Sequence, residues 1–215
     1  VYRKPRVAVL ATGDELLEVG AAPCPGKIIN SNSYSLAAQL LQAGGEPVLI
    51  GIAADTREAT REKIAEGMQL DALIISGGAS VGDRDYVRET IQELQGKLYF
   101  SKVNMKPGKP ATFATIGGKP VFALPGNPVA AMVCFEMFVR PAILKMQGHE
   151  QLMRPKIKAV LTGQALNSGE RPHLVTVRVT SEGDICKAST ISNQSSANLA
   201  SLTAGNGLLK LEPHS

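Results

Sequence analysis

The chain has 215 residues, 44% of them hydrophobic and 20% charged, enough for one large globular domain or a medium domain with a small one. Five Phe, four Tyr and no Trp are too few aromatic faces for a stacking platform on single-stranded nucleic acid, and no Lys/Arg run is long enough to form a basic tail. The formal net charge of +4 is mild, and an anionic small molecule accounts for it as well as a polymer would.

Cys24, Cys134 and Cys186 are odd in number and share no metal-ligand spacing, which fits reduced thiols in a cytoplasmic protein, with Cys134 buried. The start, Val1 to Arg6, has no apolar signal region and no initiator Met, so a piece of a longer chain is expected. The most apolar segment, Pro128 to Met146, is interrupted by Glu136, Arg140 and Pro141; it reads as a core helix, not a membrane span.

Arg6 to Ala11 predicts a buried strand that runs into Thr12-Gly13-Asp14-Glu15-Leu16, with acidic residues just past the strand end. Asn30-Ser31-Asn32-Ser33 offers N-caps for a helix with the apolar stripe Leu36, Ala37, Leu40 and Leu41, closed by Gly44-Gly45. Val48 to Ala53 predicts a second strand. Asp55-Thr56-Arg57-Glu58 then has capping-box spacing, and capping alone is a sufficient account of Asp55; Ile64 and Met68 mark the inner side of the helix that follows.

Ala72 to Ile75 reads as a third buried strand. It ends in Ser76-Gly77-Gly78-Ala79-Ser80-Val81-Gly82-Asp83-Arg84-Asp85-Tyr86, followed by the helical pattern Val87, Ile91, Leu94. A strand, a glycine loop and a helix start together suit phosphate, because glycine lets backbone N–H groups turn toward an anion and the helix end adds positive potential. Asp83 and Asp85 beside a phosphate imply a hard cation such as Mg²⁺ between them, unless they serve only a turn and a helix cap. A Cβ on Gly78 is expected to intrude on the anion while leaving the fold intact.

Leu98 to Val103 predicts a further strand, leading into the stiff loop Met105-Lys106-Pro107-Gly108-Lys109-Pro110 from which two lysines project. Gly117-Gly118 between Ala111–Ile116 and Val121–Leu124 is a two-residue hairpin signal. Pro125-Gly126-Asn127-Pro128 starts the apolar helix, with Asn127 as N-cap, Pro128 at its first position and a further set of free N–H groups. Alternating strands and helices imply a three-layer α/β/α domain with a mostly parallel sheet, whose ligand cleft lies at the carboxyl ends of the strands. After Gln147-Gly148-His149 the pattern changes: Ile157, Ala159, Leu161, then Leu174 to Thr180 and Leu208 to Leu211 alternate or are β-branched, which predicts a small all-β domain. The division is drawn at 1–148 and 149–215.

In Thr12-Gly13-Asp14-Glu15-Leu16, Gly77 to Tyr86, Lys106-Pro107-Gly108-Lys109-Pro110 and Pro125-Gly126-Asn127-Pro128, the sequence resembles the molybdopterin molybdenumtransferases, the MoeA and gephyrin E-domain family. The four motifs stand in the family's order and the resemblance spans nearly all of the chain. It implies a MogA-like molybdopterin-binding domain from about Arg6 to Gly148, then a C-terminal β-barrel, in a protein whose further N-terminal domains supply part of the site across a homodimer. Ser80-Val81-Gly82-Asp83 favours this branch over the adenylyltransferases, which typically carry Gly-Gly-Thr-Gly.

The implied reaction is insertion of molybdate into the dithiolene of adenylylated molybdopterin, with Mg²⁺-dependent release of AMP. On that resemblance Thr12, Gly77, Gly78, Ser80, Gly82, Lys106, Lys109, Pro125, Gly126, Asn127 and Pro128 bind substrates. Asp14, Glu15, Asp55 and Asp85 are the catalytic candidates, and Asp83 with Asp85 would hold the metal. Other cofactor-biosynthesis enzymes are expected partners, and nucleic acid and membrane are not. Two other readings stand beside it: an adenylyltransferase or nucleotide pyrophosphatase, and a gephyrin-type scaffold that binds a partner peptide.

Overall fold

The computed structural model describes residues 2–78, 85–191, 194–197 and 199–215. The first strand, β1 (Arg6–Thr12), is buried on both faces, as an unbroken apolar run in the middle of a parallel sheet requires. Two short strands follow, β2 (Leu16–Leu17) and β3 (Ile28–Ile29), and then α1 (Asn32–Gln42), β4 (Glu46–Ala53), α2 (Arg57–Gly67) and β5 (Ala72–Ser76). Next come α3 (Tyr86–Glu93), β6 (Lys97–Phe100) and the hairpin β7 (Thr112–Ile116) and β8 (Lys119–Leu124). Gly117 and Gly118 both have positive φ, 56° and 78°, the conformation that a tight two-residue hairpin needs.

Six strands form one sheet in the order β4-β1-β5-β8-β7-β6. The first four run parallel, and β7 and β6 join antiparallel. Side chains of successive strand residues alternate between faces. Val7, Val9, Ile74, Phe122 and Leu124 therefore share one core with Leu36 and Leu40 of α1, while Ala8, Leu10, Leu73, Ile75 and Val121 share another with Ile64 of α2 and Ile91 of α3. Each fully buried Leu or Ile in these layers contributes roughly 1.5–3 kcal/mol. Leu41, assigned by periodicity to the inner stripe of α1, is instead 61% exposed, because the buried face narrows to Leu36 and Leu40.

The apolar segment after β8 is a helix in three parts: α4 (Pro128–Cys134), a π-helical turn (Phe135–Val139) and α5 (Arg140–Met146). The wide turn directly precedes Pro141, which has no N–H for a regular ladder and whose ring needs room. No helix among the described residues is long and apolar enough to cross a membrane. Glu136 accepts hydrogen bonds from Arg154, and Arg140 donates to the carbonyl of Leu152, which fastens the following segment to this helix.

The strand-rich remainder holds β9 (Val160–Thr162), β10 (His173–Glu182), β11 (Ile185–Thr190), α6 (Leu199–Ala204) and β12 (Gly207–Leu211), with sheet order β12-β10-β11-β9. The helix α6 is absent from the sequence reading, because Ala-Ser-Leu-Thr-Ala offers no helical period. Leu174, Leu202 and Leu208 of this unit pack against the core under α1 and α4, so the two units share an apolar boundary.

Candidate functional site

The carboxyl ends of β1, β4, β5 and β8 open into one cleft of about 1630 Å³, in the place where open parallel sheets hold ligands. Of the residues singled out from sequence, Thr12, Glu15, Asp55, Gly77, Gly78, Lys106, Lys109, Pro125, Gly126, Asn127 and Pro128 line it. Ser80, Gly82 and Asp83 lie outside the described residues.

At the β1 and β4 ends, two aspartates hold each other. The Asp14 N–H donates to Asp55 Oδ2 at 3.3 Å, and the Asp55 N–H donates to Asp14 Oδ1 at 3.0 Å. Each carboxylate thus has one oxygen engaged by a backbone donor and another left over, and both residues are exposed. The ammonium of Lys27 donates to the Asp14 carbonyl and braces the turn from outside. The capping-box reading of Asp55 is corrected: the N-cap of α2 is Thr56, whose hydroxyl accepts from the Ala59 N–H at 3.2 Å. Asp55 is drawn toward Asp14, and the adjacent threonine does the capping.

At the β5 end, Gly77 and Gly78 have φ of 95° and 64°, a conformation that side chains disfavour. A Cβ on Gly77 would lie 2.4 Å from the Thr12 carbonyl oxygen, and one on Gly78 would lie 2.8 Å from both Thr12 Oγ1 and Val87 Cγ2. The expectation that Gly78 can be enlarged without harm to the fold is therefore overturned, since this turn is pressed against β1 and α3. Beyond it, Asp85 is the N-cap of α3 and its Oδ1 accepts from the Arg88 N–H at 3.0 Å. Burial pushes its carboxyl above the usual range, partly offset by that hydrogen bond and by the Arg88 charge. Tyr86 and Val87 line the cleft, whereas Asp85, like Asp14, is not among its lining residues.

At the β8 end, Asn127 occupies the N-cap position of α4 but makes no capping bond; its Nδ2 donates to Ser196 Oγ at 3.2 Å. The Val129 N–H donates to the Ser196 carbonyl at 3.0 Å. The helix start therefore presents fewer free donors than its sequence implies, because the second unit covers it. The lysine loop is fastened similarly: the Lys106 N–H donates to Pro172 O at 2.9 Å, the Leu174 N–H donates to Lys106 O at 2.7 Å, and Arg171 Nη1 donates to Met105 O at 3.1 Å. Beneath it, the buried Cys134 thiol faces the Gly108 carbonyl at 3.8 Å, and burial raises its pKa to about 12, so it is a packing group. Burial and then the Lys106 charge hold His173 below its ordinary value, which leaves a neutral imidazole on the cleft wall at neutral pH.

Several wall residues escaped the sequence reading: Asn32, Arg171, His173, Thr176 and the stretch 194–197. Those of the second unit carry no local signal, since only long-range pairing brings them here. Asn32 did carry one, because Asn30 to Ser33 holds four polar residues where one cap suffices. The N-cap is Ser31, which makes no side-chain cap bond, and Asn30 Oδ1 accepts from the Ser33 N–H at 3.2 Å, while Asn32 is the first helical residue.

Residues 8–145 match the family described as probable molybdopterin binding domain, and residues 158–215 match the MoeA C-terminal region (domain IV). A molybdopterin molybdenumtransferase of Nostoc sp. is 43% identical over 172 residues, covering 78% of this chain and 39% of the relative. The molybdenum cofactor synthesis protein cinnamon of Drosophila melanogaster is 36% identical over 215 residues, covering 98% of this chain and 35% of the relative. The chain thus spans well under half the length of these relatives. Among solved structures, the molybdopterin biosynthesis moeA protein from Pyrococcus horikoshii superposes with a TM-score of 0.84 at 32% identity, covering 99% of this chain and 51% of that one.

Proposed function

The chain belongs to the molybdopterin-binding-domain family, with a MoeA C-terminal region attached, and from that premise we propose that its cleft takes part in molybdenum cofactor biosynthesis by joining molybdate to adenylylated molybdopterin with release of AMP. The observation that supports this reading best is convergence: four strand-end turns and the Lys106–Lys109 loop face a single space. Both reactants are anions, so lysines, turned backbone N–H groups and a neutralising cation are what their encounter requires. Lys106 and Lys109 attract oxyanion or phosphate, and the Gly77-Gly78 turn brings its backbone close to the nucleotide. Pro125 to Pro128 form the wall beside that turn.

The residues present fit Mg²⁺. Asp14 and Asp55 each retain an oxygen not engaged by the other's backbone, and a hard cation commonly takes one or two protein carboxylates and completes its shell with phosphate oxygens and water. Among the described residues no three acidic, His or Cys side chains gather as a complete protein cage. When bound, such an ion supplies neutralisation of the phosphoanhydride charge. Asp85 is the weaker ligand candidate because its burial disfavours the charged form that a hard cation requires.

The test is made in the full-length protein with adenylylated molybdopterin, molybdate and Mg²⁺, following AMP. Wild type is expected to release AMP on addition of molybdate. Asp14→Asn and Asp55→Asn should each lower the rate about 100-fold or more while binding AMP without metal almost unchanged, since the amide keeps the shape and loses the charge. Adenylylation of molybdopterin from ATP in place of AMP release would assign the adenylyltransferase reaction instead, and no binding of either nucleotide would return the protein to the scaffold reading.

A further inference from the structure

Asn32 is 9% exposed at the first turn of α1 and reaches across the floor of the cleft. Its Nδ2 donates to Ser76 Oγ at 2.8 Å and to the Gly126 carbonyl at 2.7 Å. One side chain therefore ties the last residue of β5, next to the Gly77-Gly78 turn, to the turn after β8. The same turns are also laced by the Gly77 N–H, which donates to Leu124 O at 3.1 Å. Asn32 Oδ1 is buried with no hydrogen-bond partner among the described residues, so the side chain is held by its two Nδ2 bonds.

We propose that Asn32 is a positioning residue: it sets the separation of the two neighbouring turns that line the cleft on the ligand's side, and so controls affinity and rate without touching the reacting atoms. The proposal rests on the functional reading above for its ligand. The physical basis is independent of that reading. Both Nδ2 protons are used, each on a different strand end, so the amide fixes a distance and an angle that an apolar residue of equal volume cannot. Misplacing a binding element by about 1 Å can cost on the order of 100-fold in rate.

Two substitutions separate the two bonds. Asn32→Asp keeps an oxygen that can accept from the Ser76 hydroxyl but places an acceptor against the Gly126 carbonyl. Ser76→Ala removes the other bond and leaves the Gly126 contact. Gln39→Leu is the control: Gln39 lies on the same helix, also has a buried unpaired oxygen and donates once, to Met132 O at 3.2 Å, away from the cleft.

The experiment measures amide hydrogen exchange without ligand, and AMP affinity by calorimetry, in the full chain. In both variants exchange should accelerate at the Gly77 N–H, whose bond to Leu124 O joins the two turns, with β1 protection unchanged. AMP should bind about tenfold more weakly to each variant, whereas Gln39→Leu should lower Tm and leave AMP affinity within about twofold of wild type. Uniform acceleration across the sheet would overturn the proposal and make Asn32 a core residue only, as would loosened turns with unchanged AMP affinity. If wild type binds no AMP, the functional reading fails, and the exchange pattern alone decides whether Asn32 sets the turns.

Discussion

Glycines at the cleft separate the demands of the fold from those of the ligand, because neighbouring ones face opposite constraints. Gly77→Ala places a Cβ 2.4 Å from a backbone oxygen of β1, with φ at 95°. The left-handed conformation costs about 1–2 kcal/mol for a residue with a Cβ, and forcing a methyl into a packed site about 1–3 kcal/mol. The variant should therefore lose about 2–5 kcal/mol, a large part of the roughly 5–15 kcal/mol that holds a domain folded. Gly126→Ala meets only ordinary contact, with Gly77 Cα at 3.7 Å, and Gly126 is exposed with no positive φ. It should stay within about 0.5 kcal/mol of wild type while weakening AMP binding, because its new methyl projects where the ligand is expected. Urea unfolding monitored by circular dichroism, with the slope checked against wild type, measures the first effect, and calorimetry measures the second. Gly77→Ala within about 0.5 kcal/mol of wild type would refute the packing argument, and Gly126→Ala with normal AMP affinity would refute the placement of the ligand.

Asp85→Ala should cost about 1 kcal/mol through loss of the α3 cap, whereas Asp85→Asn retains a good cap and relieves the burial of charge. The carboxyl is raised in the folded state, so its contribution is most favourable below its unfolded value near 3.8 and declines as pH rises through the folded value. Asn should therefore equal or exceed wild-type stability at pH 7, and a loss equal to that of Ala in urea melts would show that the carboxylate has another partner. His173 is lowered, so its contribution is complete above its ordinary value of 6.5 and is lost as pH falls through the folded value. His173→Gln should flatten the fall in stability between pH 7 and 5 measured by thermal melts, and an unchanged slope would clear the imidazole of any part in it. In alkylation by iodoacetamide at pH 8, exposed Cys24 should react and Cys134 should stay protected until unfolding; mass spectrometry of the peptides decides.

The strands and helices were legible because their signals are local and redundant. Val7 to Ala11 and Ala72 to Ile75 are unbroken apolar runs, and Gly117-Gly118 admits little but a tight hairpin. Boundaries set by distant partners were not legible. Asp55 and Thr56 are both good caps, and the choice between them depends on Asp14, 41 residues earlier. The β6 strand stops at Phe100, not at Val103, because the Val103 N–H is drawn to the Lys109 carbonyl. Asn127 looked like a cap until Ser196, 69 residues later, supplied its partner. Most motif residues that line the cleft lie beside a strand end, where the local pattern makes them legible, whereas Arg171, His173 and the stretch 194–197 reach it through the pairing of Lys106 with His173 and the bonds to Ser196.

Topology also orders the charges within the cleft. The sheet order β4-β1-β5-β8 puts Asp55 and Asp14 at adjacent strand ends on one side, the Gly77-Gly78 turn in the middle and the Asn127 turn next to it. The loop bearing Lys106 and Lys109 leads into β7, the strand beyond β8, and Arg171 and His173 of the second unit join the wall beside that loop. A ligand lying along the strand ends would thus meet carboxylates at one end and ammonium groups at the other, with the least obstructed backbone between them. Such a gradient orients an extended anion, since a cation-bridged phosphate is tolerated only at the acidic end while a free oxyanion is drawn to the lysines. Exchanging the two ends would set phosphate against bare carboxylate and leave the lysines without an anion, so the ligand proposed above would enter in one orientation.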